Sequence, residues 1–224
     1  MKDMKAVEAV VFDLDGTLIQ SKIDYGKMRR RAVEILVEAG AAAREFKQSR
    51  RIWEIIMGGE KMLKEMGVPI ERRRRTLRQI NEALNAVELE GVETVEPTPH
   101  VHETLRTLRA RGLGIGVATR GCNAYATLSI ERSSLGEYID VFLARDDVEH
   151  PKPDPRHLLQ VVDALGATPG VVVYVGDTTT DLETAEKAGI AFIGFLRDSE
   201  WGRRLREAGC KILIDDLRKI VDLI

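Results

Sequence analysis

The sequence predicts an α/β protein: a parallel sheet with helices on both faces, interrupted near its start by an inserted block of helices. Three observations carry this. From residue 102 to the end, short apolar runs rich in β-branched residues alternate with helical patterns of about ten residues, the signature of a parallel sheet. A further run of the same kind stands alone at residues 7–12. Between them, residues 25–93 carry little strand signal and many helix formers.

Residues 7–12 (Val-Glu-Ala-Val-Val-Phe) read as a buried first strand. In the helical block, Met28, Ala32, Ile35, Leu36 and Ala39 recur at helical spacing, as do Trp53, Ile56 and Met57. Gly67-Val68-Pro69 breaks the pattern, and Ile70, Leu77, Ile80, Leu84 and Val87 mark a third helix. Residues 94–99 (Thr-Val-Glu-Pro-Thr-Pro) end the block. A helix over 102–111 is stopped by Gly112, and 113–118 form a strand. A helix over 123–133, a strand at 141–143 and a helix over 156–165 follow. Residues 171–175 are the strongest strand of the chain. A helix over 180–188 closes at Gly189, 190–195 form another strand, and 211–214 a last short one.

Composition narrows the function classes. Lys plus Arg number 34 against 36 Asp plus Glu, a net charge of −2, which argues against a general polyanion binder and so against nucleic acid as partner. Aromatics at 5% are too sparse for base-stacking platforms. Two cysteines, Cys122 and Cys210, argue against a disulfide framework and fit a reducing cytoplasm. No apolar run approaches the roughly 20 residues of a membrane span, and residues 1–5 lack the apolar segment of a secretory signal. No membrane partner is therefore expected.

In open parallel sheets, reactive groups gather outside the carboxyl ends of the strands. The first strand is followed by Asp13-Leu14-Asp15-Gly16-Thr17 and the second by Thr119-Arg120-Gly121. Beyond the third comes Pro151-Lys152-Pro153, and the strongest strand runs into Gly176-Asp177-Thr178-Thr179-Thr180-Asp181. Each strand end thus delivers a carboxylate, a hydroxyl or an ammonium to one edge of the sheet.

This ordered set resembles the haloacid dehalogenase-like superfamily, in particular its phosphatases with a helical cap, the phosphoglycolate phosphatase and β-phosphoglucomutase group. The resemblance spans nearly the whole chain. It implies a Rossmann-like core from residues 1–19 and 97–224, and a cap from 20–96 that opens and closes over the site. It also implies a phosphoric monoester hydrolase acting on a small phosphorylated metabolite, a phosphoglycolate-like compound or a sugar phosphate. The expected state is a cytoplasmic monomer or homodimer.

The chemistry agrees with the roles the resemblance assigns. Asp13 is the expected nucleophile, forming an aspartyl-phosphate that splits hydrolysis into two steps. Asp15, on the same loop, is the expected acid toward the leaving group and then the base toward water. Gly16 lets the chain turn away without a side chain blocking the site. Mg2+ favours a few carboxylates, water and substrate phosphate. The resemblance places it at the Asp13 carboxylate, the Asp15 backbone carbonyl and Asp177, with Asp181 holding a metal-bound water or supporting the ligands. Lys152 is expected to offset charge beside Asp13 and the phosphate, and Thr119 to donate to phosphate oxygens. Arg120 departs from the family, which often has Asn there. It is expected to contact phosphate, face solvent or pair with a cap acid.

Several features have plainer readings. The arginine runs 29–31 and 72–75 read as solvated helix faces, against the alternative of one or two meeting a second anionic group of the substrate. His100, His102, His150 and His157 form no convincing metal-ligand set, and Cys122 has no base near it in sequence. Asp15 argues against a true dehalogenase or a phosphonate-cleaving enzyme, both of which typically lack that residue. A phosphomutase uses the same motifs, and a non-catalytic regulatory module on this fold is the alternative from another class.

Overall fold

In the computed structural model, which describes residues 7–46, 51–196 and 199–224, the first β-branched run forms β1 (Ala9–Phe12), buried along its whole length. Full burial of Val10, Val11 and Phe12 removes apolar surface worth about 1.5–3 kcal/mol per side chain. A tight turn leads to the two-residue β2 (Ile19–Gln20). Three helices follow: α1 (Tyr25–Glu38), α2 (Ile52–Glu65) and α3 (Ile70–Gly91). Then come β3 (Glu96–Pro97), α4 (Val101–Ala110), β4 (Gly114–Ala118), α5 (Asn123–Arg132), β5 (Val141–Leu143) and α6 (Pro155–Ala164). The chain ends with β6 (Val172–Gly176), α7 (Thr179–Ala188), β7 (Ala191–Phe195), α8 (Ser199–Glu207), β8 (Leu213–Ile214) and α9 (Ile220–Leu223).

Six strands form one sheet in the order β5-β4-β1-β6-β7-β8, every neighbouring pair parallel. This is the α/β architecture the sequence predicts. The chain lays β4 and β5 on one side of β1 and then crosses to place β6, β7 and β8 on the other. The switch in direction therefore falls at β1, which puts its carboxyl end at the crevice where such sheets bind ligands. On one face, Val11, Ala118, Val172 and Tyr174 pack with Leu158 and Val161 of α6 and Ala185 of α7. Among the described residues, no helix is long and apolar enough to cross a membrane.

The chain divides into two compact units: Lys22–Glu93, and the chain on either side of it, up to Ser21 and from Thr94. In the Lys22–Glu93 unit, Met28, Ala32 and Leu36 of α1 are buried, with Ile55 and Leu63 of α2 and Ile80, Leu84 and Val87 of α3. The Lys27 ammonium meets both oxygens of Glu90 at 2.8 and 2.7 Å, tying α1 to the end of α3.

Four local readings need correction. The buried stripe of α2 is Ile55, Gly59 and Leu63, whereas Met57 is exposed and Trp53 and Ile56 only half-buried. The reason is a close approach: a Cβ on Gly59 would lie 2.5 Å from the Leu36 side chain, so α2 turns its glycine toward α1. Ile70, expected on the core face of α3, is exposed at the first turn. The punctuation around residue 96 holds a strand, β3, paired antiparallel with β2. No helix is expected from the sequence at α8, whose large apolar residues are only Trp201 and Leu205, one turn apart in a charge-rich run, or at the four-residue α9. Residues 1–5, read above for a signal segment, lie outside the described residues.

Candidate active site

Strand ends converge where the chain reverses direction across the sheet. Asp13 follows β1 directly, and its N–H donates to the Val175 carbonyl at 2.8 Å, continuing the β1–β6 ladder. Asp177 follows β6, so the pairing that joins these strands sets the two carboxylates side by side. Asp181 lies in the first turn of α7, fixed by a capping box with Thr178. Its approach to the strand end depends on Gly176, where a Cβ would lie 2.6 Å from the Asp181 Cβ. Oxygens of Asp13, Asp177 and Asp181 come within 4.8 Å of one another, and all three residues are buried.

Lys152 is the cation of this cluster. It is 2% exposed, and its Nζ donates to Asp13 Oδ1, Asp181 Oδ1 and Tyr174 Oη, each at 2.7 Å. An ammonium has three protons, so its donor capacity is filled. Tyr174 Oη in turn donates to Asp181 Oδ1 at 2.7 Å, while Thr178 N–H donates to Asp181 Oδ2 at 3.0 Å. Burial pushes the Asp13 carboxyl up to about 7, against the pull of Lys152. Burial acts on Asp181 in the same direction, but Lys152, Thr178 and Tyr174 outweigh it and hold that carboxyl below its ordinary range. Burial likewise opposes the Lys152 charge, and Asp13 and Asp181 overcome it, raising the ammonium above its usual value.

The other expected residues occupy separate positions at the same sheet edge. Asp15 Oδ1 accepts from Ser21 Oγ at 2.8 Å and from Tyr125 Oη at 2.6 Å. Its carboxylate is not part of the three-acid cluster. Thr119 is buried at the end of β4, with its Oγ1 accepting from Gly121 N–H at 3.1 Å. Arg120 is half-buried, and its carbonyl accepts from Arg145 Nη1 at 2.6 Å. In the arginine runs, Arg30, Arg31, Arg72, Arg74 and Arg75 are exposed, whereas Arg73 is half-buried and paired with Glu60.

Three residues contribute that motif reasoning does not find. Tyr174 lies inside the strongest strand and reads as core; the only hint is a hydroxyl in an otherwise apolar buried run. Tyr125 lies on α5 and reads the same way. His157 is buried, with Nδ1 accepting from Lys152 N–H at 3.2 Å and Nε2 donating to the Leu143 carbonyl at 3.0 Å. It clamps the Lys152 segment to the end of β5. Burial and the nearby Lys152 charge push its imidazole down to about 4, so it is neutral at pH 7.

The donor set fits a hard divalent cation. Three carboxylates gather with one ammonium bound to two of them, and the cluster offers oxygen ligands without sulfur or imidazole, the chemistry that suits Mg2+ rather than a soft metal. A cation of charge two would relieve the excess negative charge that three buried carboxylates place there.

A family model described as "Haloacid dehalogenase-like hydrolase" matches residues 10–195. Phosphoglycolate phosphatase of Salmonella paratyphi A is 28% identical over 242 residues, covering 99% of this chain and 94% of that protein. In fold, the chain is similar to a Haemophilus somnus protein described as a predicted phosphoglycolate phosphatase, with a TM-score of 0.66 at 18% identity, covering 98% of this chain and 99% of that one. It is also similar to a Thermotoga maritima protein assigned as a β-phosphoglucomutase, with a TM-score of 0.63 at 24% identity and coverage of 97% and 100%.

Proposed function

The chain belongs to the haloacid dehalogenase-like hydrolase family, and from that premise we propose that it is a Mg2+-dependent phosphatase of small phosphorylated metabolites. The observation that carries this is the buried cluster of Asp13, Asp177 and Asp181, two of whose carboxylates, Asp13 and Asp181, meet the Lys152 ammonium. We assign it a phosphoglycolate-like substrate, a small phosphate monoester, as the curated relatives' name suggests. The protein acts in the cytoplasm, where a chain whose two cysteines form no disulfide is at home.

Asp13 attacks phosphorus through a carboxylate oxygen, forming an aspartyl-phosphate as the bond to the leaving oxygen breaks. Asp15 gives its proton to that oxygen, then takes a proton from the water that hydrolyses the intermediate. Lys152 holds the Asp13 carboxylate and neutralises charge on the phosphoryl group. Thr119 orients the phosphate through its hydroxyl, and Arg120 supplies a further cation at that end. Asp13, the Asp15 carbonyl and Asp177 are the proposed metal ligands, with Asp181 supporting them. Bound there, Mg2+ supplies electrostatic stabilisation of the phosphoryl oxygens. The helical segment, residues 20–96 in the sequence reading, is assigned the role of a cap that selects substrates.

The test is a screen of some tens of phosphate monoesters with Mg2+, run beside Asp13→Asn. Release of inorganic phosphate by the wild type and not by the variant is expected. Turnover of no ester, or equal turnover by Asp13→Asn, would overturn the reading.

A further inference from the structure

We propose that Tyr125 is a positioning residue for Asp15, setting which carboxyl oxygen exchanges the proton with the leaving group. The proposal rests on the acid–base role of Asp15 argued above. Tyr125 lies 110 residues from Asp15 in sequence, fully buried on α5, and its Oη donates to Asp15 Oδ1 at 2.6 Å. Ser21 Oγ donates to the same oxygen at 2.8 Å. A phenol keeps its proton at neutral pH and so remains a donor. Two donors converge on Oδ1, which assigns the exchanged proton to Oδ2.

The ring itself is held. A Cβ on Gly121 would lie 2.8 Å from Tyr125 Cδ1, so the loop after β4 rests directly on the phenol ring. The same loop carries Thr119, whose Oγ1 accepts from Gly121 N–H. Tyr125 therefore links the proposed phosphate-binding loop to the proposed acid through one rigid side chain with few rotamers. A residue needed only to fill this space has no use for a hydroxyl buried against a carboxylate.

The first step breaks the bond between phosphorus and the leaving oxygen, forms the bond from Asp13 to phosphorus and moves the Asp15 proton to the leaving oxygen. An alkoxide needs that proton; p-nitrophenolate, a stable anion, does not. Misplacing Asp15 is therefore felt in proportion to the basicity of the leaving group, whereas a general loosening of the core slows every ester alike.

The test measures kcat/KM of wild type and Tyr125→Phe over phosphate monoesters running from p-nitrophenyl phosphate to simple alkyl phosphates. This ratio reports the reaction up to phosphoryl transfer to Asp13, so the later hydrolysis step does not mask the effect. Alkyl phosphates are expected to lose roughly 10–100-fold, the worth of a hydrogen bond to a charged group, and p-nitrophenyl phosphate less than about twofold. Ser21→Ala removes the other donor and is expected to tilt the series the same way, which keeps the test in force if Tyr125→Phe does not fold. A uniform loss across the series, no loss, or a gain with alkyl phosphates would overturn the positioning role while leaving the phosphatase reading intact. A wild type that hydrolyses no ester would overturn both.

Discussion

The Lys152 ammonium stands 2.7 Å from Asp13 Oδ1, across 139 residues of sequence, with both side chains buried. The same ammonium meets Asp181 at an equal distance. A carboxylate just past β1 and one in the first turn of α7 thus share one cation, and neither is well solvated. Such a group is held as a unit: removing one member leaves charge in a place water does not reach.

Lys152→Met keeps most of the side-chain volume and removes the charge. Loss of about 3–5 kcal/mol of stability at pH 7 is expected, the usual cost of breaking a buried ion pair from one side. Urea unfolding of the two proteins measures it. An unchanged midpoint would show that Asp13 and Asp181 are solvated or neutral without the lysine.

His157 gives a pH dependence of definite sign. Its imidazole titrates near 4 in the folded protein, because it is buried beside Lys152, and near 6.5 when unfolded. The unfolded chain therefore binds the proton first. The stability tied to neutral His157 is complete above about pH 6.5 and is lost as pH falls toward 4. The stability gap between wild type and His157→Gln should narrow by about 2 kcal/mol between pH 7 and pH 5. A gap that stays constant or widens on acidification would contradict the buried neutral imidazole.

The metal assignment makes its own demand. Asp177→Asn is expected to weaken Mg2+ binding at least roughly tenfold, read by titration calorimetry on metal-free protein. Chelator should abolish turnover, and Ca2+ should inhibit, since its larger and looser shell misplaces the nucleophile. Full activity in chelator would rule out the metal's part in the reaction.

Much of the fold was readable because its signals are local. The β-branched run at 172–175 and the helix stop at Gly189 say what they become without reference to the rest of the chain. Asp13 and Asp177 were readable for a related reason, since each sits just past a strand end and placing the strands places them; Lys152, nine residues beyond β5, was readable from its Pro-Lys-Pro setting before α6. What escaped depends on tertiary contact. The inward face of α2 is decided by how closely Gly59 meets Leu36, which no periodicity records. Tyr125, Tyr174 and His157 look like ordinary core residues in sequence. Their hydroxyls and ring nitrogens matter only because distant carboxylates and backbone groups arrive beside them.

If Asp13 carries a covalent phosphoryl intermediate that forms and breaks with help from Asp15, rapid-quench kinetics with p-nitrophenyl phosphate will reveal it. Asp13→Asn should show no burst and near-zero turnover. In Asp15→Ala the first step needs little acid help with this substrate, while the second lacks the base that activates water, help worth roughly 10²–10⁴-fold. A burst of nitrophenolate of at most one equivalent per site, a slow steady rate, and one phosphate on Asp13 by mass spectrometry of the quenched protein are expected. Phosphate trapped on another residue, or isotope labelling that shows direct attack of water on the ester, would contradict the Asp13 intermediate.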